Sequence, residues 1–165
     1  METLFTPWRY SYITERRDSS EACFLCAAAA EPDREERLVV HVARHHLVLL
    51  NRHPYTNGHL MVAPLAHVGT PEAASAESQL ELWPLVLRCR ELLGSVYRPD
   101  GMNLGLNLGS AAGAGVTDHF HVHLVPRWSG DTNFMSVLAS TRLVPEAPLD
   151  TWRRLRGRLE GGEVR

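Results

Sequence analysis

The stretch Asp118-His119-Phe120-His121-Val122-His123-Leu124-Val125-Pro126-Arg127-Trp128 decides how the rest of the chain is read. Imidazole and apolar side chains alternate with the period of an extended strand, which predicts a strand over 120–125. His119, His121 and His123 then share one exposed face, while Phe120, Val122 and Leu124 anchor the other to a core. At about 3.3 Å per residue, His119 and His123 stand roughly 13 Å apart, too far to ligate one metal ion together. Imidazole can attack phosphorus and also leave it near neutral pH, so the row suits a two-step nucleotidyl transfer. One histidine would form a phosphoramidate and the others would hold protons or phosphate oxygens. The plainer alternative is a polar solvent face or an adventitious metal-binding stripe.

Working outward, the small-residue loop over 109–115 can bring backbone N–H groups close to phosphate, with Gly109 and Gly115 at its ends, or can be a plain flexible turn. Ser110 and Thr117 could add hydroxyl donors, and Asn103 and Asn107 share one face of a strand expected over 102–108. Further β-rich runs at 38–42, 46–50 and 60–63 read as an antiparallel meander. Leu80, Leu82, Leu85, Val86, Cys89, Leu92, Leu93 and Val96 recur at helical spacing, with a cap at Thr70-Pro71 and a proline, Pro84, expected to kink or divide the helix. A short helix is expected at 149–159 with its arginines solvated, and at 14–37 an irregular segment with a turn of helix at most. An aromatic arm at 4–13 carries Phe5, Trp8, Tyr10 and Tyr12. The expected organisation is an arm and cysteine-pair segment over 1–37, a core domain over 38–140 and a helical tail over 141–165.

Composition narrows the function. In 165 residues, 17 basic groups stand against 19 acidic ones, a net charge of −2, so no cationic field recruits nucleic acid or anionic lipid and a small substrate is favoured. All the basic residues are arginine, which removes the phosphate-binding lysine of a P-loop and any Schiff-base lysine. No leader segment and no membrane-length apolar run is evident, so the expected compartment is the cytoplasm, with no membrane partner. Disulfides are then improbable, and Cys23 and Cys26 read as a redox switch, half a zinc site or a coincidence. Cys89 reads as a small buried hydrophobe.

The run His119-Phe-His121-Val-His123-Leu-Val resembles the signature of the histidine triad (HIT) family, and the resemblance continues through residues 51–64 and 103–109 to cover roughly 38–128. It implies an α+β domain with a five-stranded antiparallel sheet and helices, a homodimer, and attack on the α-phosphorus of a nucleotide by the middle histidine, here His121. It places His59 beside the triad, setting proton positions with His123, and it supports Asn51 at a ribose and Asn107 near phosphate. Residues 128–134 look closest to the branch that includes bacterial diadenosine polyphosphate phosphorylases. This favours dinucleoside polyphosphates as substrates and leaves water and inorganic phosphate open as acceptors. Some triad proteins hold one structural zinc per chain, and the matching positions here are Cys23, Cys26, His67 and His119. Only one triad member is then spent on metal. The rival readings are a non-catalytic nucleotide-binding protein and a metal buffer.

Overall fold

The β-rich runs form strands β1 (Val39–Val42), β2 (His46–Leu50), β3 (Leu60–Pro64), β4 (Gly101–Leu106) and β5 (Val122–Arg127) in a computed structural model that describes residues 23–33, 35–131 and 145–160. They make one five-stranded sheet in the order β1-β2-β3-β5-β4, antiparallel throughout, within a single α+β domain. The aromatic arm at 4–13, together with Asn133 and Phe134, lies outside the described residues.

Three α-helices accompany the sheet among the described residues: α1 (Phe24–Ala30), α2 (Ala76–Tyr97) and α3 (Pro148–Glu160). The first is longer than the single turn expected within 14–37. Its alanine run favours helix, and Leu25 and Ala28 pack against Val39, Leu47, Leu49, Met61 and Ala63. In α2 the cap is Ser75, whose Oγ accepts from the Ser78 N–H at 3.2 Å, while Thr70-Pro71 opens a separate 3-10 turn, Pro71–Ala73. Pro84 does not divide this helix. The carbonyl it deprives of an N–H partner belongs to Leu80, a residue 77% exposed, so the lost bond falls on the solvent side. Leu80 is therefore a surface residue rather than the core position its spacing suggested.

The two faces of the sheet have different neighbours. Val40, Val48, Leu50, Leu60, Val62, Val122 and Leu124 meet Leu85, Val86, Cys89, Leu92 and Leu93 of α2 and Trp152 and Leu155 of α3. The C-terminal helix is thus built into the core, and Trp152 Nε1–H donates to Val39 O at 2.7 Å. Its arginines are not all simply solvated, since Arg154 pairs with Glu146 and Arg153 with Glu35 and Asp150. On the opposite face the α1 cluster extends only to β3 and includes no residue of β4 or β5. Met61, His123 and Gly105 lie side by side across β3, β5 and β4, so His123 falls on this second face, beyond the α1 cluster.

One polar lock joins the β1–β2 hairpin to α2. His46 is fully buried, with Nδ1 2.8 Å from Glu81 Oε2 and Nε2 3.3 Å from Ser78 Oγ. Glu81 also accepts the backbone N–H groups of Arg44 and His45.

Candidate active site and metal centre

The histidine row departs from a regular strand in its first half. β5 begins at Val122, and Phe120 N–H donates to Val68 O at 2.9 Å, which draws 119–121 away from the sheet toward the segment that follows β3. Gly69 permits this close approach, because a Cβ there would stand 3.0 Å from Thr117 O. His119 is consequently 0% exposed and His121 7%, which corrects the expectation that all three imidazoles stand open in front of one strand.

Fixed donors and acceptors set the protonation of each ring. His121 Nδ1 lies 3.2 Å from His119 O, and a carbonyl can only accept, so Nδ1 carries the proton and Nε2 keeps its lone pair. Tyr55 N–H donates to His59 Nδ1 at 3.1 Å, leaving the proton of His59 on Nε2. That N–H points at His123 Nδ1, 3.0 Å away, which in turn places the His123 proton on its own Nε2. The His121 and His123 rings are 4.7 Å apart, edge to face. A lone pair and an N–H donor therefore stand side by side.

Burial favours the neutral form of His121 and His123. It is the main cause that pushes His123 down to about 4, with the neighbouring His121 adding to it. His121 is also held below the ordinary histidine value by burial, partly countered by its bond to His119 O. Tyr55, which the sequence reading passed over, lies 4.8 Å from His59 and 6.5 Å from His123 between ring centres. Its place four residues before His59, in the turn that leads to β3, was the available signal.

The other end of the row reaches a second cluster. His119 Nε2–H donates to Pro64 O at 2.8 Å, leaving Nδ1 as an acceptor turned toward sulfur. That atom is 3.3 Å from Cys23 Sγ and 3.5 Å from Cys26 Sγ, and Cys26 Sγ is 3.2 Å from His67 Nδ1. All four ligand atoms lie within 4.8 Å of one another. Tetrahedral zinc with bonds of about 2.3 Å to sulfur and 2.0 Å to nitrogen needs ligand separations of about 3.3–3.8 Å, so this donor set suits that ion. Burial, followed by the hydrogen bond and charge of Cys23, raises the Cys26 thiol, a penalty that a bound cation would relieve.

The remaining sequence candidates fall into two groups. Asn51 sits next to the histidines, its N–H donating to His59 O and its Oδ1 accepting from His53 N–H. Asn107 directly follows Leu106, which pairs with Val122 next to His121 in the chain. By contrast, Asn103 lies opposite Val125, farther along the ladder, with its Oδ1 taken by Arg127 Nη1–H at 2.8 Å. The glycine loop folds on itself: the N–H groups of Ala112 and Ala114 donate to Gly109 O and that of Gly113 to Ser110 O. Three donors expected for phosphate are thereby used internally. Ser110 opens the 3-10 turn Ser110–Ala112, Gly115 is exposed, and Thr117 Oγ1 donates to Asp118 Oδ1.

Comparison with known proteins identifies the family. The HIT domain family model matches residues 34–130. The chain belongs to the HIT domain family. A HIT relative from Mycobacterium tuberculosis named AP-4-A phosphorylase is 36% identical over 165 aligned positions, covering 94% of this chain and 83% of that protein. A Dictyostelium discoideum protein named bis(5'-adenosyl)-triphosphatase is 29% identical over 79 residues, 48% of this chain and 52% of that one. Among solved structures, a zinc-bound histidine triad family protein from Mycobacterium smegmatis superposes with a TM-score of 0.67 at 26% identity, covering 86% of this chain and 98% of that one.

Proposed function

We propose that this HIT protein cleaves dinucleoside polyphosphates, diadenosine tetra- or triphosphate foremost, at the α-phosphorus through a nucleotidyl-His121 intermediate. The observation that carries the reading is the Nε2 lone pair of His121 beside the Nε2–H of His123. His121 Nε2 forms a bond to the α-phosphorus as the bond from that phosphorus to the leaving polyphosphate oxygen breaks. His123 Nε2–H hydrogen-bonds the departing oxygen, held in that tautomer by His59. The polyphosphate leaves as an anion and needs no proton. His119 O stabilises the positive ring of the intermediate through Nδ1–H. An acceptor oxygen then attacks phosphorus as the N–P bond breaks and the ring returns to neutrality; a water acceptor releases its proton to solvent, and a phosphate dianion needs to lose none. Asn51 would hold ribose, and Asn107 with Gly109, Ser110, Gly115 and Thr117 would face phosphate.

Two acceptors are compatible with this sequence of steps. Water gives a nucleoside monophosphate and inorganic phosphate gives a diphosphate; the name of the M. tuberculosis relative favours phosphate. The test is incubation with diadenosine tetraphosphate, with and without phosphate, of wild type and His121→Asn. ADP formed only when phosphate is present selects the phosphorylase, and AMP without phosphate selects the hydrolase. Equal turnover by His121→Asn overturns the nucleophile, and tight binding with no turnover by wild type selects a binding protein.

Zinc, one per chain and structural, is our assignment for Cys23, Cys26, His67 and His119: with four protein ligands no coordination position is left for substrate, and the ion ties α1 to the start of the histidine row. Retained thiol ligands fit a reducing compartment, the cytoplasm. Leu104 and Leu106 are exposed on β4, an edge strand, with Leu108 just beyond, and a second copy of the chain is the occupant we assign to that edge. Light scattering that returns a monomer mass at assay concentration overturns this.

A further inference from the structure

We propose that Tyr55 is a substrate-contacting residue that stacks on the base of the departing nucleoside, which makes the site selective for substrates with a nucleoside at both ends. The inference rests on the reading of His121 as nucleophile and goes on to specify the class of leaving group. If His121 attacks and His123 hydrogen-bonds the departing oxygen, the leaving polyphosphate exits past His123. Tyr55 stands there. Its ring plane is within 26° of the His123 ring at 6.5 Å, and it tilts over His59 at 4.8 Å. The His121 and His123 rings are 4.7 Å apart, so Tyr55 lies no farther from the nucleophile's ring than these two short steps end to end.

The backbone of Tyr55 is already committed, because its N–H fixes the His59 tautomer. The side chain is not required for that bond, yet the residue is 49% exposed beside two buried or half-buried imidazoles. An exposed aromatic residue beside these imidazoles offers a platform on which any nucleobase can stack, worth about 1–3 kcal/mol per base and indifferent to base identity. A leaving group without a base, or one as short as an amide, gains nothing from it.

The test compares diadenosine tetraphosphate with adenosine 5′-tetraphosphate, which has the same number of phosphates and no second nucleoside. Calorimetric binding is measured on the full chain in a His121→Asn background, so that the result does not depend on turnover. Adding Tyr55→Ala should weaken binding of the dinucleotide about tenfold, equivalent to about 1.4 kcal/mol, and leave adenosine 5′-tetraphosphate unchanged. Tyr55→Phe should match its parent. Equal weakening of both ligands, or no change in either, overturns the proposal. In the otherwise wild-type enzyme the same substitution should raise KM for the dinucleotide and spare kcat; a fall in kcat on both substrates with KM unchanged would reduce Tyr55 to a cover for the His59–His123 pair. Turnover by His121→Asn would refute the nucleophile instead, an outcome separate from either of these.

Discussion

Mild acid should destabilise this protein in a way that depends on His123. In the unfolded chain that ring titrates at 6.5, whereas burial and His121 push it down to about 4 in the fold. Between those values the unfolded state binds a proton that the folded state refuses, so stability falls as pH drops through the window and levels off below about 4. Each unit is worth ~1.4 kcal/mol, giving a ceiling of about 3 kcal/mol. His123 is only partly buried, and solvent screening lowers the expected loss to about 2 kcal/mol. The assay is urea unfolding of wild type and His123→Asn at several pH values from 7.5 to 4.5. An Asn carbonyl can still accept from His59 Nε2–H but does not titrate. Carboxylates and the Cys23, Cys26, His67 and His119 cluster act on both proteins, so the difference between the two curves isolates His123. Wild type should lose about 2 kcal/mol more than the variant over that range. Parallel curves, or a steeper loss in the variant, would refute the argument that burial holds this ring neutral.

Three other substitutions probe separate parts of the structure. Gly58→Ala should cost about 1–3 kcal/mol in urea unfolding, because Gly58 has φ +73° and a Cβ would sit 2.9 Å from Leu93 Cδ2; an unchanged midpoint would show that the turn before His59 tolerates a side chain. Cys26→Ser should lower bound zinc from one per chain toward none by elemental analysis, with a fall in Tm, and full retention of metal would remove Cys26 from the ligand set. His46→Ala should destabilise by about 2–4 kcal/mol, since it opens a cavity and leaves Ser78 and Glu81 without their buried partner, while KM for the dinucleotide stays as in wild type.

Most of the architecture was legible because it is written in local periodicity. The runs at 38–42, 46–50 and 60–63 became β1 to β3 almost residue for residue, and the apolar spacing from Leu85 to Leu93 became the buried stripe of α2. What local pattern could not supply was tertiary. Alternation placed His119 and His121 on a strand face, whereas the bond from Phe120 N–H to Val68 O pulls them out of the ladder and buries them. Glycine content suggested open donors at 109–115, yet two main-chain oxygens of the same loop take three of them. Pro84 looked like a break because nothing local says which side of a helix will meet water. The gathering of Cys23, Cys26 and His67 around His119 came from family resemblance alone, since ligands as many as 96 positions apart share no periodicity. The lock of His46 with Ser78 and Glu81 left no sequence signal for the same reason.

The sheet acts as a partition. Along β5, Val122 and Leu124 look toward α2 and α3, whereas His123 looks the other way. Damage to the α2 and α3 side of this wall should register in a melting curve alone, whereas damage beside His123 should register in a rate as well. Because neighbouring positions of a single ribbon report to different assays, the substrate range of such a scaffold can be retuned by substitutions on the open side while the buttress behind it is left alone.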